Sequence, residues 1–194
     1  ERIFTCWGTE KEAEFYDLKF KVIYGQTVPK EIIESYLDKM EALIDEKDIL
    51  FRQECMVDRA LRCNSPNEKI AGLQEALYLT LPDFDIHQIL SYRLSWSELT
   101  ILNNIGHQYR CTEESYLSTL YFLQILEYVK VTKPDILFQN NFLPVTYQMY
   151  SRSLYIRKLY SEVLALHKYV DLFLLKADLN HYGGYLFFYS QSLG

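Results

Sequence analysis

Glycine and proline are scarce in this chain, with 7 and 5 copies among 194 residues. So few turn formers leave little room for the corners of a many-stranded β fold and favour long helices. No stretch approaches the roughly 18 consecutive apolar residues of a membrane-spanning helix, and the first residues carry no signal-peptide pattern. Basic clusters are also missing: 20 Lys and Arg face 26 Asp and Glu, for a net charge of −6. A chain without a Lys/Arg run is a poor bare binder of nucleic acid, because phosphate contacts need clustered cations. Cys6, Cys55, Cys63 and Cys111 form no CxxC pair and show no metal-ligand spacing. They are expected to be reduced thiols in the core of a cytoplasmic helical protein. Gly-rich phosphate loops and the GxSxG, HExxH and kinase patterns are absent. His87, His107, His167 and His181 are far apart, none with a carboxylate or cysteine at a ligand-like offset. No catalytic residues, metal site or cofactor are expected, and no enzyme.

What the chain does have is apolar surface at helical spacing. It is 49% hydrophobic and 24% charged, with 17 Tyr and 11 Phe, a globular composition pointing to an all-α fold. The stretch from Ser95 to Thr132 is the clearest. Ser95 and Glu98 form a capping box at the start of one helix, and Leu102, Ile105 and Tyr109 follow at helical spacing. Gly106 removes bulk where a second helix must pass. After the turn at Cys111–Glu114, Ser118, Phe122, Ile125 and Val129 continue the apolar face. Leu, small, Tyr, turn, small, aromatic is the order of a tetratricopeptide helical hairpin, which needs neighbours to bury its open face.

The rest of the chain supplies them. Pairs of helices are expected over about 10–46, 49–80, 95–132 and 135–176, with a last helix over 185–194 and a connection at 84–94 holding one short helical turn. Ser65–Glu68 is a second capping box with Pro66 just inside it. Leu50, Cys55, Met56, Ala60 and Leu61 are the expected buried side of the helix beginning at Ile49. Pro144, inside the expected long helix, is a point where it would kink or reset. The small residues Gly106, Ser151 and Ser190 are each followed three places on by Tyr109, Leu154 and Leu193, at separations of 45 and 39. Regular tetratricopeptide repeats recur at about 34, so elongated, irregular repeats in a right-handed superhelix are expected.

In such an array the first helices of each pair line a concave face. There the sequence places Asn103, His107 and Arg110, then Gln148, Arg152 and Tyr155. A carboxamide both donates and accepts, so it suits the backbone of an extended ligand. An arginine can hold a carboxylate in a fork.

The segment LSWSELTILNNIGHQYRCTEESYLSTLYFLQILEYV, with EALYLTLPDFD before it and YSRSLYIRKLYSEVLALHKYVDLFL after it, resembles the C-terminal half of a group of transcriptional regulators. These are XRE-family regulators of low-GC Gram-positive bacteria, with an N-terminal helix-turn-helix and a C-terminal tetratricopeptide-like domain. They are related in architecture to the PlcR and Rgg peptide sensors of quorum sensing. The resemblance implies a cytoplasmic module that senses a peptide or small effector and forms a homodimer. It implies DNA contact only through a domain preceding Glu1, and the chain's opening on Glu1 rather than Met is what a fragment would show. In such sensors an asparagine at the place of Asn103 binds ligand backbone. The alternative is a scaffold of the same architecture that docks partner proteins without a transcriptional role.

Overall fold

The computed structural model describes residues 10–25, 28–45, 47–133, 136–166 and 190–192, with 136–141 described by their backbone. Among these residues all regular structure is helical. The elements are α1 (Glu10–Tyr24), α2 (Lys30–Leu43), α3 (Ile49–Leu61), α4 (Pro66–Tyr78), a 3-10 segment (Ile86–Ser91), α5 (Trp96–Tyr109), α6 (Ser115–Thr132) and α7 (Ile136–Ile156). Helix resumes over 160–166, and 190–192 are helical. The expected partner helix to Lys176 and the last helix thus lie mostly outside the described residues, as do Cys6, His167 and His181. The chain divides into two compact units, Glu1–Pro82 and Asp83–Gly194.

The first unit consists of two helical hairpins, α1 with α2 and α3 with α4, with α2 also packed on α3. Phe15, Leu18 and Val22 of α1 meet Ile33, Leu37 and Met40 of α2 and Cys55 of α3 in one core. Both triplets follow helical spacing, which lets a single stripe on each helix be buried. On α3 the buried side differs from expectation: Leu50 is 52% exposed, whereas Gln53 is 1% exposed beside Cys55 and Ala60. Gln53 is tolerated inside because its Nε2 donates to the Ala76 carbonyl and to Thr80 Oγ1, both at 3.0 Å, satisfying the end of α4. A methyl group on Gly72 would sit 2.8 Å from the Ala60 Cβ, so the α3–α4 crossing depends on that glycine. The expected Ser65–Glu68 capping box is present. Arg59 of α3 reaches Glu34, Asp38 and Glu41 on α2 at 3.0–3.1 Å.

The second unit is organised by the α5–α6 hairpin. The Ser95–Glu98 capping box forms as expected, with Glu98 N–H donating to Ser95 Oγ and Ser95 N–H to Glu98 Oε2. A Cβ built on Gly106 would lie 3.0 Å from Tyr121 Cβ, the close crossing that a small residue permits. Tyr109 packs its ring on Tyr121, with centroids 5.6 Å apart. Phe122, Ile125 and Val129 are buried. Instead of the one expected helical turn, the connection holds two short 3-10 turns joined across a kink at Gln88; its Ile86 and Ile89 are buried and it packs on α6. At the far end of the hairpin, the Leu94 N–H donates to the Tyr128 hydroxyl at 2.8 Å. Helix α7 packs on α6, and the buried Ser153 Oγ donates to Ser118 Oγ at 2.9 Å. Pro144 does not end α7, which runs on to Ile156; buried Thr146 donates to the Phe142 carbonyl within the same turn.

Candidate functional site: a polar stripe on α5

Helix α5 is enclosed over most of its circumference, with buried residues from Glu98 to Gly106. Packing explains the apolar ones. Asn103, His107 and Arg110 stand apart, at offsets of four and seven residues, and therefore share one line along the helix. Asn103, expected on the concave face, is 8% exposed, and its Oδ1 is sealed from solvent without a hydrogen-bond partner. It lies at the flank of the packing stripe, next to Leu102, and the enclosure that covers Leu102 extends over it. A buried carboxamide oxygen lacking a partner costs about 1–3 kcal/mol, so such a group in a native fold calls for an explanation.

One turn on, Arg110 and His107 are half-buried, with Arg110 Nη2 3.5 Å from His107 Nε2, at the outer limit of a hydrogen bond. Arg110 Nε is also sealed from solvent with no acceptor. Burial first, then repulsion from Arg152, holds the Arg110 guanidinium below its ordinary range, with Cys111 acting weakly the other way. Arg152 projects from α7, which packs directly on α5. The structure therefore brings two of the arginines expected at the site close enough to repel each other. Among the described residues neither forms an ion pair with a carboxylate.

The other two expected residues are placed differently. Gln148 is half-buried on α7, its backbone carbonyl accepting from Ser151 Oγ at 2.9 Å. Tyr155 is half-buried too, but its ring lies against Tyr160, with centroids 5.5 Å apart. Asn103, His107 and Arg110 thus share one line on α5, Arg152 of α7 acts on Arg110 through its charge, Gln148 lies one turn before Arg152, and the Tyr155 ring lies against Tyr160.

Two features of the surroundings are not apparent from sequence. Arg157 Nη1 donates to Thr119 Oγ1 at 2.7 Å, tying the end of α7 to α6; nothing in the spacing of residues 38 apart could signal this. In the first unit a pocket of about 190 Å³ opens among Phe15, Leu43, Ile44 and Phe51, rimmed by Lys11, Asp45 and Asp48. Its acidic residues look in sequence like ordinary solvated helix ends.

No group of His, Cys, Asp and Glu among the described residues is arranged to hold a metal ion. The three described cysteines occupy three environments rather than one core: Cys55 is buried, Cys63 half-buried and Cys111 exposed. Burial pushes the Cys55 thiol up to about 12, with Glu41 adding to the effect. No described helix is long and apolar enough to cross a membrane.

Neither a protein-family model, nor a curated protein, nor a solved structure matches the chain. The likeness to XRE-family regulators rests on the sequence pattern alone.

Proposed function

We propose that this chain is the regulatory domain of a cytoplasmic bacterial transcription regulator, a module without catalytic activity that senses a peptide or small effector and forms a homodimer. The observation that carries the reading is Asn103, a buried carboxamide with an unsatisfied oxygen, beside an arginine that has no carboxylate. The cover over Asn103 opens in this reading to admit an extended ligand, which gives Asn103 a backbone N–H to accept from and gives Arg110 an acceptor. In this reading the helix pairs stack as a right-handed tetratricopeptide-like superhelix, with the stripe on its concave face. Operator DNA is then bound by a separate helix-turn-helix, because this chain carries a net charge of −6 and no basic run.

Two experiments test the two halves. Sequencing the gene that encodes the chain should reveal an XRE-type helix-turn-helix in the same frame; its absence overturns the transcriptional half. Short random peptides passed over immobilised full chain should be retained by wild type and lost by Asn103→Ala. Unchanged retention by Asn103→Ala overturns the stripe as the binding face.

One observation favours a scaffold that docks folded proteins. Tyr16, Phe20, Ile23 and Tyr24 make an exposed apolar line on α1, with the Phe20 and Tyr24 rings 4.4 Å apart. Calorimetry in which only folded partners bind, and no peptide does, would favour that reading.

A further inference from the structure

Internal partners of arginines in this acidic chain range from carboxylates to uncharged oxygens. Arg59 sits in a fork of three carboxylates, Glu34, Asp38 and Glu41, and Arg62 donates to the Val22 carbonyl. Arg110 and Arg152 of the α5–α7 face have no carboxylate partner among the described residues, although acidic residues outnumber basic ones by 26 to 20. Arg110 and Arg152 come from two packed helices, and Arg110 keeps its Nε, one of the donors on the guanidinium edge that matches a carboxylate side-on, without an acceptor. Its contact with His107 at 3.5 Å is weak, so turning toward an incoming anion breaks no ion pair.

Resting on the peptide-binding reading above, we infer that the ligand of this face presents a carboxylate, seated between Arg110 and Arg152 while Asn103 holds the neighbouring backbone. An anion there relieves both the repulsion between the two guanidiniums and the desolvation of Arg110. The half-buried setting of Arg110 makes its charge-assisted contact stronger than one on open surface. A carboxylate fits better than a rounder anion because the vacant Nε lies on the planar, bidentate edge of the fork. It can come from two places in a peptide, the free C-terminus or an Asp or Glu side chain.

The test passes three short random peptide libraries over the full chain, identifying retained peptides by mass spectrometry. One has free C-termini and no Asp or Glu, one is C-terminally amidated and contains Asp and Glu, and one is amidated without them. The first or second library should be retained and the third should not, and which of the two is retained identifies the source of the carboxylate. Retention should fall about tenfold or more in Arg110→Gln and in Arg152→Gln, as expected for loss of a charge-assisted pair. Because Arg152 is exposed, its variant should melt as wild type does, so its loss of binding cannot be attributed to misfolding. Retention of the third library equal to the others overturns the carboxylate while leaving peptide binding standing. Retention of a carboxylate library by Arg152→Gln at the wild-type level overturns the proposed seat. Retention of none of the three overturns the peptide reading and this inference together.

Discussion

Gly106 and Tyr121 face each other across the α5–α6 crossing so closely that a side-chain carbon on the glycine would lie 3.0 Å from the tyrosine Cβ. Because that atom is tied to the α6 backbone, it cannot swing away. Gly106→Leu should therefore force the helices apart and cost about 3 kcal/mol through overpacking. Gly106→Ala should cost less, because alanine's better helix propensity, about 1 kcal/mol, offsets part of the clash. Urea unfolding of both variants checks this; equal stability of Gly106→Leu and wild type would show that the crossing has slack.

Gln53 satisfies the end of α4 from inside the first unit. Gln53→Leu keeps the volume but leaves the Ala76 carbonyl without that donor, and should destabilise by about 1–3 kcal/mol. Thermal unfolding measures it. A neutral result would mean that the carbonyl finds water or another donor.

The buried Ser153–Ser118 hydrogen bond should be visible in a double-mutant cycle. Either Ser→Ala alone strands one hydroxyl and should cost about 1 kcal/mol, whereas the double variant strands none and should lose less than the sum. Strict additivity would deny the pair any coupling.

Asp58 gives the first unit a defined pH response. Its Oδ2 is sealed from solvent without a partner. Burial raises its carboxyl above the ordinary 3.8; Glu54 adds to this, and Lys19 and Arg62 oppose it. The folded chain thus holds a proton that the unfolded chain releases, so stability declines as pH rises from 3.8 through the folded-state value. Above that value the penalty is complete. Asp58→Asn should be more stable than wild type at neutral pH, and the gain should vanish in acid below both values. An equal difference at both pH values, read by denaturant unfolding, would rule out this linkage.

Much of the helical framework was legible because its signals are local. Ser65 with Glu68, and Ser95 with Glu98, specify helix starts through residues three apart, and Gly106 specifies a crossing through its own lack of bulk. Burial on α3 was less legible. Leu50 and Gln53 are ranked by hydropathy in the opposite order to their burial, because the side that faces inward is set by the ends of α4, far along the chain. The candidate site shows the same division. Spacing put Asn103, His107 and Arg110 on one line. The enclosure of Asn103 depends on packing from outside α5, and the approach of Arg152 to Arg110 on how α7 lies on α5; no local pattern encodes either. Spacing assigns Tyr155 to the face, but its contact with Tyr160 follows from the turn after α7.

The Tyr128 hydroxyl holding the Leu94 amide joins the last turn of α6 to the residue just before α5 begins. The hairpin is thereby latched at its open end as well as joined at its turn, a loop of chain closed on itself without a covalent bond. Such a loop does not fray from its ends one turn at a time. It opens as a whole or not at all, so the amide of Leu94, though outside any helix, should exchange with solvent at the slow pace of the helical core. The polar stripe on α5 is then held at both ends, by the turn beyond Arg110 and by this latch before Ser95.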